Sequence, residues 1–254
     1  MFSQRELERY KRQIMLFGEE GQERLKKAHI FIAGAGGLGS PVSIYLAVAG
    51  IGTITIVEMD VVDQTNLNRQ ILNYDRDIGR KKTASAEEKL RELNPDIIIN
   101  AIDVKIDEIN AAKLIGRAEG IVDAMDNYPT RYLLNDVAIA KKIPLFHGGI
   151  RGFYGQATTI IPGTTPCLKC IFPKPPPKEV FPVVGVTPGI IGTIQANEVI
   201  KYLTDSGELL LGRLFIWDGL QSHGEEICVE RNPACKACGG MTTKKQHRGR
   251  RSDC

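Results

Sequence analysis

Long apolar runs are missing from this 254-residue chain, and none approaches the ~20 residues that a membrane-spanning helix needs. That excludes a helical membrane protein. A dominant charge is missing too, since 33 Lys and Arg stand against 30 Asp and Glu, a formal +3. Part of that small excess sits in Lys244, Lys245, Arg248, Arg250 and Arg251, so the remainder is near neutral and offers no cationic stripe for nucleic acid. No internal repeat is visible, and a hydrophobic content of 43% is that of an ordinary globular protein, which excludes disorder for the bulk of the chain. The opening MFSQRELERYKRQI is charged and lacks the apolar core of a signal peptide, so a cytoplasmic location is expected.

Six cysteines are present, and in a reducing compartment they should not be read as three disulfides. Four of them form two hooks, Cys167-Leu-Lys-Cys170 and Cys235-Lys-Ala-Cys238. Two C-x-x-C turns that meet make a tetrahedral thiolate site for zinc, stapling a late loop onto a mid-chain one. Such a site has no open position and its role would be structural. A redox C-x-x-C, or cysteines that merely pack, are the alternatives. Cys228 lies in the alternating run EEICVE, and Cys254 is terminal.

The rest of the chain is organised around Ile30 to Asn68. HIFIAGAGGLG supplies an apolar strand followed at once by Gly34, Gly36, Gly37 and Gly39, the last three in G-G-x-G and the set containing G-x-G-x-x-G. Ser40 to Ala49 then reads as the helix whose N-terminus would receive a phosphate chain. The next strand, TITIVEMD, ends in Glu58 and Asp60, about 20 residues on, where a ribose-binding carboxylate belongs. The fingerprint indicates a nucleotide without saying which chemistry is done with it.

Along the chain, Ser3 with Glu6 forms a capping-box pattern, and Leu7, Tyr10 and Ile14 recur at helical spacing, with Gly18 expected to stop that helix and Gly21 to Lys27 to form a short second one. VVDQTNLNRQ reads as a loop at a strand's carboxyl end, rich in side-chain amides and carrying Arg69. Lys82 stands at the start of a helix over Thr83 to Leu93, and IIINAID follows as a strand. Residues 107–118 suggest a helix, GIVDAMDN a strand running into Asp123, Asp126 and Asn127, Pro129 to Lys142 a helix, and IPLFHGGI a strand. Acids just past a parallel strand are placed where ligands bind. Gly152 to Ile161 has β character. The prolines of FPKPPPKEVFPVV argue for an extended crossing loop, and Thr187 to Leu203 for a helix. RLFIWDG and EEICVE read as antiparallel strands. The fold class predicted is α/β: a Rossmann-like mixed sheet, parallel in its N-terminal half, antiparallel in its C-terminal part and zinc-stapled.

The order RYKRQI, GAGGLG, NLNRQ, GRKK, DAMDN, CLKC and ERNPACKACG resembles the ThiF/MoeB/HesA family, bacterial and archaeal relatives of ubiquitin-activating enzymes, from Arg9 to Gly239. The resemblance implies a homodimeric adenylyltransferase that uses ATP and magnesium to activate the C-terminal glycine of a small ubiquitin-like sulfur carrier ending in Gly-Gly. The destination would be molybdopterin, thiamine or tRNA thiolation. It further implies one adenylation domain over 1–240, with a nucleotide-binding half at 28–150, a carrier-docking and zinc half at 151–240, and a basic disordered tail at 241–254.

Residue by residue, the family's phosphate loop falls on Gly34 to Gly39 and its ribose acid on Glu58, where many members have Asp, with Asp60 close by. Its Asn-Leu-x-Arg-Gln falls on Asn66 to Gln70, its phosphate lysine on Lys82, and its magnesium-associated aspartate on Asp126, followed by Asn127. The arginine that reaches the site of the other subunit matches Arg12, and the zinc ligands match Cys167, Cys170, Cys235 and Cys238. Arg12, Arg69, Lys82 and Asp126 form the implied catalytic set. A carboxylate attacking the α-phosphate of ATP gathers charge on phosphate oxygens, and cations answer it; no general base is called for, because the attacking carboxylate is already ionised.

An NAD-dependent oxidoreductase would explain the glycines and Glu58 but leaves NLNRQ, Lys82 and the hooks without purpose. A related enzyme adenylating a non-protein carboxylate, such as modified tRNA, shares the activation chemistry. A binding module without turnover would require eroded ATP residues. Many family members carry a cysteine in the crossing loop that links to the carrier; here KEVFPVVGVT aligns Phe181 near it. That departure implies an enzyme that stops at the acyl-adenylate and a separate sulfur donor.

Overall fold

The structure, a computed structural model, describes residues 2–175 and 181–241. The middle of the crossing loop and the basic tail lie outside them. Among the described residues no helix is long and apolar enough to cross a membrane.

Among the described residues eight strands form one mixed sheet: β1 (His29–Ala33), β2 (Thr53–Glu58), β3 (Ile98–Asp103), β4 (Gly120–Asp123), β5 (Leu145–Arg151), β6 (Tyr154–Ile160), β7 (Arg213–Asp218) and β8 (His223–Cys228). Their spatial order is β3-β2-β1-β4-β5-β6-β7-β8. Pairing is parallel from β3 through β5 and antiparallel from β5 to β8, as the change from βαβ to mixed patterning implies. Parallel strands need crossovers, and the apolar runs at 30–33, 54–57 and 121–122 are buried on both faces, as central parallel strands must be.

The α-helices among the described residues are α1 (Gln4–Lys27), α2 (Gly39–Ala49), α3 (Lys82–Leu93), α4 (Ala111–Ile115), α5 (Tyr128–Lys141), α6 (Leu168–Ile171) and α7 (Val186–Thr204). One core layer joins the sheet to α2, α3 and α7 through Ile30, Ile32, Leu46, Leu90 and Val199. The other joins it to α4, α5 and α6 through Phe31, Ile115, Leu134 and Leu168, and includes Cys167 and Cys238. From β1 the chain adds β2 and β3 on one side and then β4 and β5 on the other, so the order reverses between β1 and β4. A crevice at the carboxyl ends of the strands opens at such a switch point.

Gly18 leaves helical geometry at φ 72, ψ 172, so α1 is two helical segments joined at a sharp kink, in line with the expected stop at Gly18 and the short second helix after it. Two elements differ from the sequence reading. α4 spans only five residues of the expected 107–118, because the Asp107 side chain accepts the N–H groups of Ile109 and Asn110 in a turn, and Gly116 at φ 55 ends the helix. α6, inside the first cysteine hook, carries too little periodicity to be seen in the sequence.

Candidate nucleotide and metal sites

β1 stops at Ala33, and Gly34 turns the chain at φ +100, its N–H donating to the Val57 carbonyl at 2.9 Å. Any side chain there would meet the Ala124 carbonyl oxygen 2.8 Å from its Cβ, so glycine lets the first loop lie against the segment that follows β4. At Gly39 a Cβ would fall 2.1 Å from the Gly34 carbonyl oxygen, which closes the loop on itself before α2 begins. Gly36 and Gly37 face the side chains of Gln70 and Arg69, respectively. The glycine loop and the NLNRQ segment are therefore neighbours.

Glu58 ends β2 and reaches back, accepting the Ala35 N–H at 3.3 Å and the Met59 N–H at 2.8 Å. Asp60 accepts from Lys82 Nζ at 3.2 Å, and the Lys82 N–H donates to the Asp60 carbonyl at 3.0 Å. The Lys82 side chain, only 7% exposed, is thus held at the first turn of α3. Asn66 closes a single 3-10 turn that Asp63 caps. Arg69 donates to the Thr65 carbonyl and the Asn68 side chain, at 2.8 and 2.9 Å.

Gln70 is buried at the end of a polar chain. Its Oε1 accepts from Asn73; Ser85 donates to Asn73; and Lys89 Nζ reaches both Ser85 Oγ and Asp77 Oδ2 at 2.6 Å. Burial pushes the Asp77 carboxyl up, but Lys89, the Tyr74 N–H and Arg80 outweigh it and hold it below its ordinary value.

After β4, Asp126 is exposed and accepts only from Asn127 Nδ2, at 3.3 Å, among the described residues. Asn127 caps α5 through the Thr130 N–H, with Tyr128 and Pro129 opening the helix. Asp123, which the sequence groups with Asp126 at the ligand edge, turns inward instead. It is fully buried and accepts His147 Nδ1 at 2.7 Å and the Met125 N–H at 3.1 Å. Burial, more than any neighbour, lowers the His147 imidazole from its usual value. Sequence reasoning passed over His147; its one visible sign is a polar ring in the otherwise apolar run LFHGGI.

Arg12 lies on the exposed side of α1 next to Met15 and Leu16, 76% and 83% exposed. The cysteines form a second centre. All four Sγ atoms lie within 4.8 Å of one another, with contacts of 3.9 Å (Cys167–Cys170), 3.7 Å (Cys167–Cys235) and 3.4 Å (Cys170–Cys238). A tetrahedron with 2.3 Å zinc–sulfur arms has edges of about 3.8 Å, so the cluster could hold that ion. Burial pushes the Cys167 and Cys170 thiols up. It acts the same way on Cys235, where the N–H groups of Cys238 and Ala237 more than offset it and bring the thiol down to about 7.

A glycine-loop Rossmann half and a pair of cysteine hooks beside one mixed sheet define a class, and the ThiF family matches residues 10–237. The chain belongs to that family. It is 43% identical to the SAMP-activating enzyme E1 of Haloferax volcanii over 92% of this chain and 89% of that one. To the sulfur carrier protein adenylyltransferase of Thermus thermophilus it is 41% identical over 96% and 95%. Among solved structures, Escherichia coli MccB with AMPCPP and MccA superposes with a TM-score of 0.83 at 25% identity, covering 91% of this chain and 74% of that one.

Proposed function

We propose that this chain is an adenylyltransferase that uses ATP to activate the C-terminal glycine carboxylate of a small ubiquitin-like sulfur carrier. One observation carries the reading: over 96% of its length the chain is similar to a protein named for adenylating a sulfur carrier. The clustering of Gly34–Gly39, Glu58, Lys82, Arg69 and Gln70 at the carboxyl ends of β1 and β2 supports it.

In this reading the backbone of Gly34, Gly36, Gly37 and Gly39 receives the triphosphate at the start of α2, and Glu58 takes the ribose hydroxyls, with Asp60 beside it. Lys82 and Arg69 neutralise charge that develops on the α-phosphate as the glycine carboxylate attacks and pyrophosphate leaves, while Asn66 and Gln70 shape the phosphate cradle. The Asp60 salt bridge keeps Lys82 extended toward the crevice before ATP arrives. Asp126 and Asn127 offer hard oxygen donors, and the solvent-facing Asp126 carboxylate suits magnesium, which when bound would shield the phosphates. Zinc on Cys167, Cys170, Cys235 and Cys238 would be structural, since four thiolates leave no position for a substrate.

Arg12 would serve a second subunit: its exposure on α1, beside the exposed Met15 and Leu16, supports a homodimer with composite sites. With Phe181 near the family's cysteine position, sulfur would come from a separate donor. The test is ATP–pyrophosphate exchange with purified carrier. Exchange only when a Gly-Gly-ended carrier is supplied is the expected result; carrier-independent exchange, or hydride transfer from a nicotinamide, would overturn the reading. Mixing inactive Arg12→Ala with inactive Asp126→Ala should restore part of the activity through hybrid dimers. No recovery despite subunit mixing would mean that Arg12 acts within its own chain or not at all.

A further inference from the structure

The segment between β4 and α5, residues 124–127, is gripped by a buried network that the chemistry above does not use. Its centre is the Asp123 carboxylate, fully buried at the end of β4. One oxygen accepts His147 Nδ1 at 2.7 Å; the other accepts the Met125 N–H at 3.1 Å. The Met125 carbonyl on the far side of the same residue accepts from Arg131 Nε at 3.1 Å and also from Arg131 Nη2, and that guanidinium lies 3.9 Å from Asp123. Met125 is therefore held at both its N–H and its C=O, and Asp126 is the next residue along.

The network reaches across the sheet. Gln195 Nε2, from α7, donates to the backbone carbonyls of Asp123 and Phe146 at 2.9 Å each, tying the end of β4 to β5. The donor pattern also assigns the His147 tautomer. Asp123 can only accept from Nδ1–H, which leaves the Nε2 lone pair toward the Gln156 amide nitrogen at 3.4 Å. The Phe172 ring covers the imidazole, centroids 5.9 Å apart. Both ring nitrogens are committed and the side chain has no exposure, so the imidazole cannot exchange protons with a substrate. An apolar residue would fill this position in β5 at lower cost unless the carboxylate it serves were needed.

We propose that His147 is a positioning residue of the adenylation site: by fixing the Asp123 carboxylate it sets the backbone of 124–127 and hence where Asp126 presents its oxygens. This rests on the adenylyltransferase reading for its kinetic part and on geometry alone for its local part. Three variants test it: His147→Leu, which removes the donor; His147→Asn, whose shorter amide can still donate to Asp123; and Asp123→Leu, which is of similar size, removes the acceptor and leaves His147 in place. Two measurements are made on the full-length chain, amide hydrogen exchange without ligand and carrier-dependent pyrophosphate exchange.

His147→Leu and Asp123→Leu should raise the exchange rate of the Met125 amide at least tenfold while β1 and α3 stay protected. They should lower kcat/KM for magnesium-ATP by roughly 10–100-fold, the range for residues that orient a ligand-bearing side chain. His147→Asn should recover most of both. Unchanged Met125 protection in Asp123→Leu would overturn the proposal, and so would an even loss of protection across β1, β4 and α3. If the wild-type chain showed no pyrophosphate exchange, the adenylation reading would fail, while the Met125 measurement would still decide whether His147 sets the segment.

Discussion

Between Val61 and Asn127 the candidate residues are held by hydrogen-bond chains that run into the core, Lys89 to Ser85 to Asn73 to Gln70 on one side and His147 to Asp123 to Met125 on the other. Between Cys167 and Cys238 the corresponding work is left to four sulfur atoms within 4.8 Å of one another. The first region is many small contacts that add up along an already buried framework. The second is a single cluster that ties together segments 68 residues apart, one of them reached through an edge strand, β8, that is exposed along its whole length. Loss of any one contact should therefore act locally in the first region. Loss of the metal should act on the whole of the second.

The comparison breaks most readily at Asp126. Its carboxylate is exposed and bonded only to Asn127 among the described residues, so Asp126→Ala should cut carrier-dependent pyrophosphate exchange by at least about 10³-fold without moving the thermal midpoint. A shifted midpoint would mean that this residue belongs to the framework. Next comes the metal. A cross-link spanning 68 residues is worth about 4 kcal/mol by loop-closure entropy, so chelation or Cys170→Ser should cost about that much. Elemental analysis should find one zinc per chain, and amides in β1 to β4 should remain protected after its removal. Disulfides in place of zinc would refute the staple.

A smaller loss is expected at Lys89→Met, about 3 kcal/mol, because it leaves Asp77 buried without its main counter-charge. Asp77 is held below the ordinary carboxylate value in the folded chain, so its contribution is present above about pH 4 and is lost as pH falls through the lowered folded value. Acid titration of unfolding should show a shallower limb in Lys89→Met than in wild type; identical limbs would assign the acid sensitivity to another group. The smallest effect serves as a reference outside both regions. Ser3 and Glu6 form a capping box on α1, and Ser3→Ala should cost about 1 kcal/mol by urea unfolding while pyrophosphate exchange is unaffected.

The parts of the fold that were legible share a property: their signal is local. The glycine spacing with apolar runs on either side marked β1, α2 and β2, and the two hooks marked their own meeting. The change from βαβ to alternating patterning located where the sheet turns antiparallel. What was not legible depends on residues far apart in the chain. Asp123 and His147 are 24 positions apart on neighbouring strands, and only β4–β5 pairing brings them together. Lys89 reads as a surface charge on an amphipathic helix until Asp77, buried in a turn beneath α3, is seen to face it. The shortening of α4 has a similar source, an Asp side chain competing for N–H groups that a helix would use.

The spacing of the hooks also has a consequence in time. During synthesis the first pair, Cys167 and Cys170, emerges well before the second, and for the whole interval in which 171–234 are being added any ion it holds lacks half its ligands. By then every residue from β1 to α5 is already made and, because domains fold as their sequence becomes available, free to assemble. Closure of the four-sulfur site thus comes after all eight described strands have been made. A metal held by all four would mark a chain whose two halves have met.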